Sequence, residues 1–216
     1  MQGGKEKMFL SKFSKLLSHK KNTNIIGHTI PNVHNLEVKW DKMYNSGEWN
    51  YLSGIDELAH YSVIIGYCEF VSPNALILDV GCGEGLLAQR LEPHAHEKYI
   101  GIDISNKAIE IAEQFNKNCN LTSFAVCDAE SYIPPNTMDI IIFNESLYYF
   151  NDLVATMQHY DNFLNTDGHF IISMFDQPES DACWDYVDKH YDIIDAVKLS
   201  NKNGLSWNCK LAKRSQ

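Results

Sequence analysis

From residue 76 onward the chain alternates short apolar bursts with polar, glycine-containing stretches. Bursts at 76–80, 99–103, near 121–127, 138–143 and 168–174 each have the length of a β-strand. The fourth, Met138-Asp139-Ile140-Ile141-Ile142-Phe143, is continuously apolar past its acid, as expected of a strand buried on both faces. Between the second and third, Ser105 stands as an N-cap for a helix reaching roughly Lys117. Ala108, Ile109, Ile111, Ala112 and Phe115 supply its apolar side. The fifth burst follows a helical stretch and an Asp167-Gly168 turn, and a further helix is predicted from about Ile55 to Val71. Strand-helix alternation of this kind predicts an α/β fold.

The first burst runs into Asp79-Val80-Gly81-Cys82-Gly83-Glu84-Gly85. A buried strand entering a glycine turn and then a helix brings bare backbone close to a ligand. A dinucleotide fingerprint would need glycine at position 86, which is Leu86, and the Gly-Lys-Ser/Thr of a P-loop is absent. The second burst ends in Asp103, 20 residues after Gly83, the offset at which an acid accepts hydrogen bonds from ribose hydroxyls. The third delivers Asp128-Ala129-Glu130, and the fourth ends at Asn144-Glu145-Ser146-Leu147-Tyr148-Tyr149-Phe150. A lone Asp at a strand end is commonly a turn former or a cap. Three at the carboxyl ends of consecutive strands, where open α/β sheets bind ligands, read differently.

The acid-x-Gly-x-Gly-x-Gly run, with these acids in order behind it, resembles motif I and its successors in the class I S-adenosylmethionine-dependent methyltransferases. The resemblance implies a Rossmann-like doubly wound, seven-stranded sheet whose last strands, near 191–200 and 204–213, form an antiparallel hairpin turning at Gly204. It implies S-adenosylmethionine as cofactor and S-adenosylhomocysteine as product. The implied cofactor residues are Asp79, Gly81, Cys82, Gly83, Gly85, Asp103, Ile104, Asp128, Ala129 and Asn144. Cys82 reads as a small filler and not as a nucleophile. For Asp79 two readings stand: ordering the glycine loop through backbone N–H groups, or, as the resemblance implies, a place close to the methionine moiety.

Composition narrows the partners. The 216 residues suit one compact domain, divided here into a helical cap over 1–72 and a cofactor-binding core over 73–216. A net charge of −10 argues against nucleic acid as acceptor, and the Asn/Asp-Pro-Pro-aromatic motif of DNA amino-methyltransferases is absent. Six cysteines without a Cys-x-x-Cys pair read as reduced thiols in a cytoplasmic protein. No apolar run approaches transmembrane length. The first 22 residues carry six lysines and one acid, with Phe9, Phe13, Leu16 and Leu17 at helical spacing. They read as a basic amphipathic helix that caps the site or touches an anionic membrane surface.

Aromatic residues crowd the segment before the core: Trp40, Tyr44, Trp49, Tyr51, Tyr61 and Tyr67. Aromatic faces stabilise a cation by about 0.5–2 kcal/mol when water is excluded, and a sulfonium is a cation. Tyr44 and Trp49 are accordingly expected at the cofactor, in a lid that also grips the acceptor; packing of two helices onto the sheet is the plainer use of such rings. The Tyr-x-x-Gly-x-Trp-x-Tyr-Leu pattern resembles small methyltransferases of sugar and natural-product pathways. Glu145-x-Leu147-Tyr148-Tyr149 is similar to the nodulation-factor N-methyltransferases. The expected reaction is methyl transfer to an oxygen or nitrogen of a small molecule. Glu145 is the first candidate for acceptor contact or proton acceptor, Tyr148 and Tyr149 orient the acceptor, and His60 is a possible base. His169 begins a strand, far from the ligand end. No metal is expected. A catalytically silent binding protein of the same fold is the alternative, and a nicotinamide-dependent oxidoreductase is disfavoured by the glycine spacing.

Overall fold

The computed structural model describes residues 33–215 apart from Pro93 and Ala95. The basic helix expected within the first 22 residues lies outside the described residues. The apolar bursts are strands: β1 Leu76–Val80, β2 Lys98–Asp103, β3 Thr122–Val126, β4 Met138–Asn144 and β5 Leu164–Phe175, followed by β6 Tyr191–Ser200 and β7 Ser206–Arg214. They form one seven-stranded sheet in the order β3-β2-β1-β4-β5-β7-β6. β1 to β5 are parallel, and β7 runs antiparallel to β5 and β6. The doubly wound seven-stranded architecture expected from the sequence is therefore present. Strand order reverses between β1 and β4, which opens a crevice beyond their carboxyl ends.

The helices are α1 Val33–Asn45, α2 Leu58–Val71, α3 Leu86–Leu91, α4 Asn106–Phe115, α5 Leu153–Asp161 and α6 Pro178–His190. Alternate strand residues face opposite sides of the sheet. Ile77, Ile140, Ile142 and Ile171 pack against Tyr61, Ile64 and Tyr67 of α2 and Leu87 and Leu91 of α3. Leu78, Val80, Ile141, Phe143 and Ile172 pack against Met157 and Tyr160 of α5 and Trp184 and Val187 of α6. Each such side chain contributes about 1.5–3 kcal/mol through burial. No described helix is long and apolar enough to cross a membrane.

Two boundaries differ from expectation. Residues Asn50–Ser53 form a 3-10 turn, so α2 starts at Leu58. β5 starts at Leu164, and Asp167-Gly168 is an irregularity inside it: the register moves from Met138↔Leu164 to Ile140↔His169. The strand doubles back closely there, since a Cβ on Gly168 would lie 2.7 Å from Leu164 Cγ.

Ser105 caps α4 as expected, its Oγ accepting from the Ala108 N–H at 3.1 Å. The same hydroxyl donates to Asp41 Oδ1 at 2.5 Å, and that oxygen also accepts from the Lys107 N–H at 3.0 Å. An acid of α1 is thus seated at the positive end of α4. That anchor holds Tyr44 over the glycine loop, where a Cβ on Gly83 would lie 2.9 Å from its hydroxyl.

Candidate active site

β1 ends at Val80, and the chain crosses over β2 by donating both the Gly81 and Cys82 N–H groups to Ile102 O, at 2.8 and 2.9 Å. Gly81 has φ 80°, and a Cβ there would stand 2.7 Å from Ser146 Cβ. Both facts demand glycine. The Gly83 N–H donates to Asp103 Oδ2 at 3.0 Å, while the Ser105 N–H donates to Oδ1 at 2.9 Å. Asp103 therefore fixes the loop and still faces the cavity beside it. Burial pushes its carboxyl up to about 6, and the N–H groups of Ser105, Gly83 and Ile104 work against that rise.

The cavity measures about 250 Å³. Its roof comes from α1 and the 3-10 turn, where Trp40 and Trp49 stack with centroids 6.0 Å apart and Trp40 meets Tyr149 edge-on at 5.0 Å. Trp49 Nε1 is buried with no hydrogen-bond partner among the described residues. The far wall follows β4. Glu145 is the one non-glycine residue at positive φ among the described residues, at 56°. Its N–H is held by Ser173 O at 2.8 Å, and the Ser146 hydroxyl by Val80 O at 2.6 Å. Left-handed backbone at a non-glycine residue costs about 1–3 kcal/mol and persists where its surroundings impose it. Here it turns Glu145 into the cavity. Tyr148 donates its hydroxyl to Glu145 Oε2 at 2.5 Å, leaving Oε1 buried without a partner. Burial pushes this carboxyl up to about 8, with nearby Glu57 adding to the rise, while the Tyr148 hydroxyl and Phe175 N–H oppose it.

Of the residues singled out from the sequence, Glu145, Tyr148, Gly81, Cys82, Gly83, Asp103, Ile104, Asp128, Ala129, Asn144, Tyr44 and Trp49 line this single cavity. Three do not. His60 is fully buried beneath it, stacked on Trp207 at 5.1 Å, with Nε2 3.1 Å from Glu57 Oε2 and Nδ1 3.3 Å from Ser173 Oγ. Its expected role as a base in contact with the acceptor is corrected, because the ring has no face on the cavity. Gly85 packs helices: a Cβ there would lie 2.9 Å from Ala112 Cβ and from Asn116 Nδ2. Asp79 is buried under the loop, accepts the Tyr99 hydroxyl, and is pushed up to about 7 by burial. Cys82 is a buried thiol kept protonated by burial and by Asp103 and Asp79. Sequence reading missed Glu57 and Trp207. An acid before an apolar helix reads as a cap, and a tryptophan in a terminal hairpin carries no motif.

A glycine loop tied to a carboxylate at the switch point of this sheet defines a nucleoside-binding α/β protein of the class I methyltransferase type. Residues 72–211 match the family model described as "Methyltransferase domain", so the chain belongs to the methyltransferase-domain family, in its S-adenosylmethionine-dependent class I form. It is 30% identical over 139 residues to malonyl-[acyl-carrier protein] O-methyltransferase 1 of Ilyobacter polytropus, covering 59% of this chain and 52% of that one. It is 31% identical over 102 residues to the mitochondrial arginine-hydroxylase NDUFAF5 of Homo sapiens, covering 46% of this chain and 28% of that one. The matches thus span about half or less of these curated relatives. Among solved structures, the N-methyltransferase NodS from Bradyrhizobium japonicum WM9, in complex with S-adenosylhomocysteine, superposes with a TM-score of 0.70 at 17% identity, over 84% of this chain and 100% of that one.

The residues fit the family's cofactor. The loop leaves no room for a Cβ at Gly81, Asp103 offers a carboxylate to the cavity beside it, and Asn144 Oδ1 is buried on the cavity wall with no hydrogen-bond partner among the described residues.

Proposed function

We propose that this chain transfers a methyl group from S-adenosylmethionine to an oxygen or nitrogen of a small acceptor, a sugar or natural-product intermediate, held under the aromatic roof. The observation that carries the reading is the joining, in one cavity, of the Asp103-tied glycine loop and the strained, partly unsatisfied Glu145. When bound, the cofactor supplies an activated methyl group on sulfur. The chain's own work is positioning and exclusion of water. Gly81 and Gly83 admit the ligand to the backbone, Asp103 and Asp128 stand for its hydroxyl and amino groups, and Asn144 takes a donor. Tyr44, Trp40 and Trp49 cover it. Glu145, poised by burial near neutral pH, takes the acceptor's proton, and Tyr148 fixes the carboxylate that does so.

Six acids and no Lys, Arg or His face the cavity among the described residues, which supports a small acceptor without phosphates and opposes nucleic acid. Six free thiols favour a reducing compartment, the cytoplasm in our reading. Incubation with methyl-labelled S-adenosylmethionine and a panel of amino sugars, sugars and phenols tests the activity. Label in an acceptor is the expected result. Tight cofactor binding with no transfer to any acceptor would favour the silent-domain alternative.

A further inference from the structure

The cavity is lined by two buried carboxylates, Glu57 and Glu145, and by no Lys, Arg or His among the described residues. Glu57 is 2% exposed and lines the cavity. It stands at the N-terminus of α2 yet makes no capping hydrogen bond from its side chain, so helix capping does not account for it. One oxygen is held by His60 and the other, Oε1, is buried with no partner among the described residues. Glu145 repeats the arrangement: Oε2 takes the Tyr148 hydroxyl, the Phe175 N–H also acts on the carboxyl, and Oε1 has no hydrogen-bond partner among the described residues. The two acids are close enough for Glu57 to disfavour the charge on Glu145. The rings of Tyr51, Tyr61 and Trp207 line the space with them.

Buried carboxylates side by side destabilise each other unless a cation or several donors arrive. An acceptor that is itself an anion would meet repulsion, since the lining carries acids and, among the described residues, no base. A hydroxyl offers one proton and would engage one of the two free oxygens. A primary ammonium offers three N–H donors and a positive charge, and aromatic walls favour it further.

We propose that the methyl acceptor is an amine, taken up as its ammonium ion between Glu57 and Glu145. The proposal rests on the methyltransferase reading and narrows it. The ammonium donates to Oε1 of each glutamate and gives one proton to Glu145. The freed nitrogen lone pair forms the N–CH3 bond as the S–CH3 bond breaks, its electron pair remaining on sulfur as a thioether. The product leaves as the methylated ammonium, and Glu145 returns its proton to solvent. A carboxyl pushed up to about 8 by its surroundings is suited to that exchange. Glu57 keeps its place through a buried chain in which Cys209 Sγ donates to Ser173 Oγ at 3.3 Å, Ser173 Oγ stands 3.3 Å from His60 Nδ1, and His60 Nε2 stands 3.1 Å from Glu57 Oε2. His60 is accordingly a positioning residue.

The test uses the full chain saturated with S-adenosylhomocysteine and titrated, by indole fluorescence, with n-butylammonium, 1-butanol and butyrate. The ammonium should bind tenfold or more tightly than the alcohol, with butyrate weakest. Glu57→Gln and Glu145→Gln should each weaken the ammonium at least fivefold while cooperative melting is retained. Equal binding of alcohol and ammonium, preference for butyrate, or failure of all three at tens of millimolar overturns the proposal. So does an unchanged ammonium affinity in the double variant, or loss of S-adenosylhomocysteine affinity in Glu145→Gln, which would make that residue a cofactor ligand. If S-adenosylhomocysteine itself does not bind the parent chain while the ammonium does, the transferase reading fails and the cation cradle stands.

Discussion

The two halves of the cavity are built on opposite principles. In the half we assign to the cofactor, Asp103 and the loop N–H groups satisfy one another before any ligand arrives, and Gly81 holds a left-handed backbone with no room for a Cβ against Ser146. In the half we assign to the acceptor, Glu57 and Glu145 each keep a buried carboxylate oxygen without a partner among the described residues, and Glu145 sits in a strained backbone. Preorganisation in the first and unmet polarity in the second are what binding a common cofactor and selecting a particular acceptor respectively require.

The largest effect that would sharpen this contrast is on turnover. Glu145→Gln should lower kcat by roughly 10²–10⁴ with cofactor affinity little changed, measured by single-turnover label transfer. A comparable loss of cofactor affinity would merge the two halves into one. Next comes Asp103→Ala. A hydrogen bond to a charged group is worth about 1.5–3 kcal/mol, so cofactor affinity should fall tenfold or much more by calorimetry; unchanged affinity would remove Asp103 from the site. Gly81→Ala should lower stability by about 1–3 kcal/mol through its left-handed backbone and the Ser146 clash, a Tm loss of several degrees for a chain of this size. A silent change there would mean the loop is looser than described.

The smallest effect is pH-dependent. Burial raises Glu145 to about 8, Asp79 to about 7 and Asp103 to about 6, all above their unfolded values near 4. The folded chain holds these protons more tightly than the unfolded one, so their contribution is full below about pH 4 and is lost as pH rises towards 8. Glu145 is faced by Glu57 and by the hydroxyls of Tyr51, Tyr61, Tyr148 and Tyr149, with Cys209 near it. Because Tyr148 is already bonded to it, removing its charge should relieve Glu57 most. The ligand-free protein should therefore melt a few degrees lower at pH 8 than at pH 5, and Glu145→Gln should narrow that gap. An equal gap in both proteins would mean that Glu145 is not ionising in the buried state.

Legibility in the sequence followed the same division. The sheet was readable because buried parallel strands write themselves as apolar runs, and the glycine loop because its constraints fall within seven consecutive residues. Ser105 announced a cap and was one. Glu145 was marked by the pattern after the fourth strand, but Glu57 and Trp207 join it only through the fold, so no spacing marks them. His60 misled because a histidine on a cap helix gives no sign of which way its ring points; burial against Trp207 decided that. Gly85 misled because a glycine in a motif and a glycine in a helix contact look alike without the neighbouring Ala112. The β5 start was missed because Asp-Gly reads as a turn even when a bulged strand contains it.

The most direct test of the account is calorimetric titration of the purified chain with S-adenosylhomocysteine. One-to-one binding at micromolar affinity, abolished or strongly weakened in Asp103→Ala, is the predicted result. Absence of binding at millimolar ligand, or binding of a nicotinamide nucleotide in its place, would contradict it.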